Sequence, residues 1–421
     1  MVADAAMSNG KKTRVFFIAD KWCAGNINFG LSEWEGNLWA SLKVQDWAEV
    51  VVFNLDEHYR LLKKKGDSAL LKKIKEFRPE LVCLIIYKMP GSDFNVPEWS
   101  TLDEIKDILK IPMVAVWGDL EIQEQVNISK ALLPYVKCNA ATASEAAVAR
   151  INNAKKFVYT WVPKNPAVFY DGGQRRNIDI SYVGSPKDDR LERVNYLIRH
   201  GLPVVYTGGE RQEHLSTMDY AEMFRKSKLT ISFSRAVFSH VINARPFEAM
   251  LCGAMVLEQD NFETPKLFTP FVDYVPYFSD SDLLEKAKYF LKNDDERRAI
   301  AHNGYVKAST LYSAKRFWRF LIDQALGGSN KEACGKKDTK LHAADLTRYP
   351  FWRAVRLRSL DRLCSSRAGF FLYFNLHKVA NFYYWRRSIA EIVYELLQNN
   401  LSPKHFDKIK KIKRKVLGSR K

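Results

Sequence analysis

Two successive series of short, nearly unbroken apolar runs alternate with amphipathic stretches between Thr13 and Val275. Such runs are typical of parallel strands covered on both faces, and their alternation with helical stretches produces right-handed βαβ units. We therefore expect an α/β protein with two doubly wound, Rossmann-like sheets. The predicted strands are Arg14–Ala19, Glu49–Phe53, Leu81–Ile86 and Met113–Trp117 in the first series, and Ile178–Val183, Pro203–Tyr206, Leu229–Phe233 and Ala254–Glu258 in the second.

A stretch rich in proline and glycine separates the two series. Residues 161–177 include Pro163, Pro166, Gly172 and Gly173, which is typical of a connection between domains. The helices predicted over Asp295–Ala308 and Ala314–Ala325 are expected to close the second half. The predicted segments are a disordered leader (1–12), a first domain (13–165), a second domain (175–312), a closing helix (313–326), a linker (327–340) and a basic, aromatic, helical tail (341–421).

The net charge of +18 is concentrated near the end of the chain, because residues 331–421 carry 22 Lys and Arg against 7 Asp and Glu. Residues 369–385 contain eight aromatic side chains, and residues 406–416 combine helically spaced apolar residues with lysines. This combination fits binding of the tail to an anionic membrane surface. A helical hairpin packed on the body ranks slightly ahead of it, and a nucleic-acid patch ranks last.

The strand ends of the second series carry groups suited to phosphate. Ligands of open α/β sheets bind outside the carboxyl ends of the strands, where glycine permits close approach and helix N-termini attract anions. Gly184, Ser185, Lys187 and Arg190 follow the strand Ile178–Val183, and Gly208-Gly209 follows the next strand. We interpret both as candidate sites for a diphosphate, with ordinary strand-to-helix turns as the alternative.

The most informative stretch runs from Ser239 to Glu258. A polar loop with Asn243 leads into a helix predicted over Phe247–Cys252, which Pro246 opens and Gly253 ends. We expect Glu248 in the first turn of this helix, where the helix dipole favours a carboxylate. Such a group can accept hydrogen bonds from both hydroxyls of a ribose, although an ordinary helix acid is the simpler interpretation.

The segment Arg245-Pro-Phe-Glu-Ala-Met-Leu-Cys-Gly-Ala254 resembles the signature of family 1 and family 4 type glycosyltransferases, especially the branch of the spore maturation protein CgeB. Further similar segments are Asp179–Ser185 with Arg190, Lys228–Ser232 and Asp294–Gly304, so the resemblance covers about residues 80–325. It implies two Rossmann-like domains facing a cleft, the GT-B fold. It also implies a nucleoside-diphosphate sugar as donor, with Glu248 on the ribose, Asn243 and Arg245 in the donor site, and transfer with retention.

One position departs from this pattern. Family 4 enzymes have a second Glu eight residues before the ribose-binding one, and this chain has His240 there. We take His240 and Asp119 as candidate catalytic residues. Asp119 follows a strand of the first series, where it could orient or deprotonate an acceptor hydroxyl.

The acceptor is expected at the first series, at Asp20 and in the polar, aromatic loop that follows, with Asn26, Glu33 and Trp34. A glycan, a lipid-linked sugar or a protein would supply the hydroxyl. No His, Cys and Asp residues cluster with metal-ligand spacing, so we expect transfer without metal or cofactor, Lys187 and Arg190 neutralising the leaving diphosphate.

Six scattered cysteines without Cys-x-x-Cys spacing suit a reducing cytoplasm, and the tail adds the inner face of a membrane as a second location. Two other functions stay open. A nucleotide-sugar epimerase would share the fold, and a scaffold or nucleic-acid-binding protein would be a degenerate version of it.

Overall fold

A computed structural model describes residues 12–32, 34–118, 120, 122–142, 156–184, 190–207, 215–233, 243–261, 263–277 and 279–327 of the chain. These residues form two parallel β-sheets flanked by helices, which confirms the predicted α/β class. The predicted leader, the linker after Gly327 and the basic tail lie outside the described residues. No helix in the described ranges combines the length and the apolarity that are needed to cross a membrane.

The first sheet has six parallel strands in the order β2-β1-β3-β4-β5-β6. All five residues of β3 and all five of β4 are buried, because helices cover both faces of the sheet. This is why the sequence of these strands is apolar without alternation. The strands are β1 Thr13–Ala19, β2 Ala48–Phe53, β3 Leu81–Ile85, β4 Met113–Trp117, β5 Val136–Ala141 and β6 Phe157–Tyr159.

The second sheet has five parallel strands in the order β11-β10-β9-β7-β8. Its central strand β9 lies between β7 and β10, so the carboxyl ends of all three meet at one edge. The strands are β7 Ile178–Val183, β8 Val204–Thr207, β9 Ser227–Ser232, β10 Met255–Gln259 and β11 Val275–Tyr277.

The helices follow the predicted alternation with strands. They are α1 Ala40–Lys43, α2 Leu55–Leu62, α3 Asp67–Phe77, α4 Trp99–Asp103, α5 Gln123–Ala131, α6 Arg190–Arg199, α7 Thr217–Lys226, α8 Ala244–Leu251, α9 Thr264–Leu267, α10 Asp280–Lys292, α11 Asp294–Thr310 and α12 Ala314–Leu326. The helix predicted over Leu102–Leu109 starts earlier, as α4, and continues as a π-helical turn over Glu104–Ile108.

Helix α12 does not close the second half as predicted but packs against the first sheet. The ring of Trp318 meets that of Phe17 edge-on, with centroids 5.5 Å apart, and its indole Nε1 donates a hydrogen bond to Oγ of Ser41 at 2.8 Å. Both Trp318 and Phe17 are fully buried. The chain therefore crosses back to the first domain after α11, and the last described helix belongs to the first core.

Only the first part of the connection between the sheets is buried. Trp161 and Lys164 are 2% and 5% exposed, whereas residues 170–173, which include both glycines, are exposed. Arg176 fixes the end of this connection. Its Nη1 donates to the carbonyls of Phe224, Arg225 and Ser227, and its Nη2 donates to the carbonyl of Cys252. One guanidinium thus satisfies carbonyls at the C-terminal ends of both α7 and α8.

Candidate functional site

Arg245 lies at the carboxyl edge of the second sheet. Gly184 directly follows β7 with φ +150°, and a Cβ placed on it would collide with the guanidinium of Arg245. The guanidinium lies over the ring of Tyr182, 5.7 Å from its centroid, and it forms no ion pair with any residue that the structure describes. Its Nε is a buried donor without a hydrogen-bond partner among these residues. A forked cation at this edge is suited to an anionic ligand.

Glu248 lies close to this group in α8 and is only 6% exposed. Its Oε1 accepts a hydrogen bond from Nζ of Lys164 at 2.5 Å, and its Oε2 accepts one from the hydroxyl of Tyr220 at 2.5 Å. Burial alone would raise the pKa of Glu248, but Lys164, Tyr220 and the charge of Arg245 outweigh burial and lower it. The carboxylate is therefore ionised at neutral pH.

The prediction that Glu248 lies in the first turn of its helix is wrong. Helix α8 begins at Ala244, two residues before Pro246, and its first turn contains no acidic residue. Proline is tolerated there because the first N–H groups of a helix have no intrahelical partner. Asn243 precedes the helix in an extended conformation, and its side chain does not cap it.

Sequence reasoning missed Lys164 and Tyr220. Lys164 stands between two prolines in the supposed linker, and Tyr220 lies on α7, 28 residues before Glu248. Apolar neighbours around a lysine were the one available signal, because a buried cation needs an anionic partner.

Several predicted donor-site residues lie outside the described part of the chain. They are Ser185, Lys187, Gly208 and Gly209, and the candidate catalytic residue His240 lies outside that part as well. Arg190 is described and is the first residue of α6. The structure therefore brings Gly184, Arg245 and Glu248 together at one edge, and the remaining donor-site residues stay predictions.

A second buried carboxylate lies at the carboxyl end of β1. Asp20 is 8% exposed, and both of its oxygens accept hydrogen bonds from Nδ2 of Asn95, at 3.1 and 2.9 Å. Burial, followed by the negative charge of Asp56, raises the pKa of Asp20 to about 7. Oδ1 of Asn95, itself a buried residue, has no hydrogen-bond partner among the described residues. Asp20 can therefore take up or release a proton near neutral pH.

The other predicted acceptor residues have separate positions. Asn26 is exposed and accepts a hydrogen bond from the amide of Asn28, so it caps a short 3₁₀ turn. The indole of Trp34 lies against Gly118 at the end of β4, where an added Cβ would come within 2.7 Å of it. Glu33 and Asp119 lie outside the described residues.

Helix α7 links the acceptor side to the donor side. A Cβ built on Gly36, just after Trp34, would lie 3.4 Å from Oγ1 of Thr217 in the first turn of α7. Three residues on, and so on the same face of this helix, Tyr220 donates its hydrogen bond to Glu248. Helix α7 therefore contacts both the segment around Gly36, which follows β1, and helix α8, which carries Glu248.

The sequence does contain one Asp-x-Asp, Asp280-Ser281-Asp282, which the prediction of no metal spacing overlooked. It forms the first turn of α10, where the helix dipole favours acidic side chains. No group of three or more His, Cys, Asp or Glu suited to a metal ion occurs among the described residues.

Comparison with known proteins agrees with this architecture. Residues 175–323 match the family model described as "Glycosyl transferase-like", whereas no curated protein matches the chain. The fold is similar to that of Anabaena Alr3699/HepE, solved in complex with UDP, at 12% identity over 74% of this chain and 99% of that chain, with a TM-score of 0.50. Sucrose-phosphate synthase from Thermosynechococcus elongatus is also similar, at 11% identity over 74% and 98%, with a TM-score of 0.44. The chain thus has the GT-B fold, and its second half is glycosyltransferase-like, which supports a glycosyltransferase.

Proposed function

We propose that the chain transfers a sugar from a nucleoside-diphosphate donor to an acceptor hydroxyl in the cleft between its two Rossmann-like domains. The observation that carries this proposal is the guanidinium of Arg245, which lies against Gly184 near the ionised Glu248 and forms no ion pair with any residue that the structure describes. A cation for the diphosphate and a carboxylate for the ribose at one strand edge are the two groups that such a donor needs.

Glu248 keeps the capacity to bind the ribose although both of its oxygens are engaged. An ionised carboxylate has about four lone-pair positions, and Lys164 and Tyr220 occupy one on each oxygen. Around it we assign Arg245, Lys187 and Arg190 to the diphosphate. The amides near Gly184, Gly208 and Gly209 would receive the phosphate oxygens.

On the acceptor side, Asp20 and Asp119 are the candidates for orienting or deprotonating the hydroxyl, with Trp34 as a wall of the site. The raised pKa of Asp20 supports a proton-accepting role near pH 7. His240 would face the transferred sugar. The acceptor classes are a glycan, a lipid-linked sugar or a protein. Retention of the anomeric configuration, independence of metal and cofactor, membership of the CgeB-like branch and a cytoplasmic, membrane-associated location belong to the same proposal and rest on the sequence.

The first test is a thermal-shift screen of the full chain against UDP, GDP, dTDP and CMP. A ligand that binds the native state raises the melting temperature by mass action. For the best ligand, calorimetric titration should show that Arg245→Ala weakens binding by about 1.5–3 kcal/mol, as expected for losing a hydrogen bond to a charged group. Arg316→Ala, which removes an exposed arginine from α12, is the control and should bind as the wild type does.

Two results would count against the proposal. If no nucleotide shifts the melting temperature, the chain is a scaffold on this fold. If a nucleotide sugar is converted to a different free nucleotide sugar without any acceptor, the enzyme is an epimerase.

A further inference from the structure

A polar cavity lies at the amino edge of the second sheet, opposite the edge that carries Arg245. It has a volume of about 560 Å³, and its walls include Arg176 just before β7, Lys228 at the start of β9 and Gly253 just before β10. Because the strands are parallel, these positions mark the amino edge of the sheet, and Gly184 marks the carboxyl edge. The cavity is therefore separate from the proposed donor site.

The charge on the cavity walls is predominantly positive. Five lining residues are cationic, namely Arg175, Arg176, Lys228, Arg297 and Arg298, and two are acidic, namely Asp171 and Asp294. Each acid is held by arginine, Asp171 by Arg176 and Asp294 by both Arg297 and Arg298. Lys228 is also paired, with Asp179 behind the wall, so the five cations exceed the three carboxylates by two, which favours an anion.

One of these arginines has unused donor capacity in the interior. Arg297 is only 3% exposed. It donates to the carbonyl of Lys228 and to Asp294, but its buried Nε has no hydrogen-bond partner among the described residues. A buried donor without an acceptor is costly, and a ligand oxygen in the cavity would remove that cost.

Two further arginines are available at the mouth. Arg175 is exposed and makes no hydrogen bond or ion pair with the part of the chain that the structure describes. Arg298 is 72% exposed and uses Nε for Asp294. Arg176, by contrast, is committed to the carbonyls at the ends of α7 and α8 and has a structural role. Arg175 and the terminal nitrogens of Arg298 are therefore free to meet a ligand, whereas Arg297 has only its buried Nε unused.

We propose that this cavity binds a small molecule that carries a phosphate or diphosphate group. Arginine forks match the tetrahedral oxygens of phosphate and bind them with charge-assisted hydrogen bonds. The volume is within the range of small-ligand sites. The site does not depend on the proposed transferase activity, because none of its residues belongs to the donor or acceptor side.

Titration calorimetry with inorganic pyrophosphate at low salt tests this inference. The pocket variant is Arg175→Ala/Arg298→Ala, and the matched control is Lys43→Ala/Lys315→Ala, which removes the same charge from exposed positions elsewhere. The control accounts for pyrophosphate attracted by net charge alone. Both variants should melt at the wild-type temperature, because the replaced side chains are exposed.

We expect the pocket variant to bind pyrophosphate at least about tenfold more weakly than the control, since two charge-assisted contacts are lost. Arg245→Ala, at the other edge of the sheet, should retain the wild-type affinity of this site. Equal affinity of the pocket variant and the control would overturn the proposal. So would loss of all saturable pyrophosphate binding in Arg245→Ala, because the anion would then occupy the donor edge.

Discussion

The buried ion pair between Lys164 and Glu248 makes the sharpest quantitative prediction. The two side chains are 3% and 8% exposed, and Lys164→Met removes the charge while keeping most of the volume. Glu248 would then be a buried carboxylate without its closest cation. Removing one partner of a buried pair typically costs about 3–5 kcal/mol. We expect a loss of that size in the free energy of unfolding at pH 7, measured by urea denaturation followed by tryptophan fluorescence.

Two comparison variants separate this effect from loss of any lysine. Lys65 pairs with Glu98 at the surface, where the two side chains are 53% and 35% exposed, so Lys65→Met should cost much less stability than Lys164→Met. The double variant Lys164→Met/Glu248→Gln removes both charges of the pair. It should therefore recover most of the stability that Lys164→Met loses.

The dependence on pH has a defined sign. In the wild type the pKa of Glu248 is lowered on folding, so its contribution is present above the unfolded value near 4.5 and is lost as pH falls through the lower folded value. Without Lys164, burial favours the protonated carboxyl. The difference between Lys164→Met and the wild type should therefore shrink as the pH is lowered from 7. A loss below 1 kcal/mol, or one that is constant with pH, would refute this account of the pair.

Four further outcomes are expected. Burial raises the pKa of Asp20 from 3.8 to about 7. The wild type should therefore lose stability relative to Asp20→Asn as pH rises through this interval, by up to about 4 kcal/mol in total. Parallel pH profiles of the urea midpoints of the two proteins would contradict this. Arg176→Ala should lower the free energy of unfolding by about 3 kcal/mol, because buried carbonyls at two helix ends lose a charged donor. In thermal melts, the control Arg175→Ala, at the exposed neighbouring position, should have a free energy of unfolding within about 0.5 kcal/mol of the wild type. Sugar transfer should continue in excess EDTA, and activity that only Mn²⁺ or Mg²⁺ restores would show that a metal neutralises the diphosphate. Deleting residues 341–421 should abolish co-sedimentation with anionic vesicles and leave nucleotide binding intact; full-length protein that ignores such vesicles at low salt would refute a membrane role for the tail.

The strands were predictable because their signal is local. All eight predicted strands coincide with observed ones to within two residues at either end, since a covered parallel strand needs a continuous apolar run. Strands β6 and β11 were missed because each has only three residues, and β5 because its sequence is Val-Lys-Cys-Asn-Ala-Ala, which has a weak apolar signal. The position of α12 could not be predicted from the sequence either. Its apolar face indicates that the helix is buried, but not which sheet it packs against.

The side chains that hold Glu248 in the candidate site were also missed, in part because the start of its helix was predicted wrongly. A carboxylate in a solvated first turn is stabilised by water and by the helix dipole, so that position calls for no side-chain cation. The dipole acts mainly within that turn, and Glu248 lies one turn further into α8. Its buried charge is balanced mainly by Lys164, 84 residues earlier, and also by Arg245, and Tyr220 adds a hydrogen bond. Glu248 is thus held in place before any ligand arrives, which spares a ribose that binds to it the cost of ordering the carboxylate.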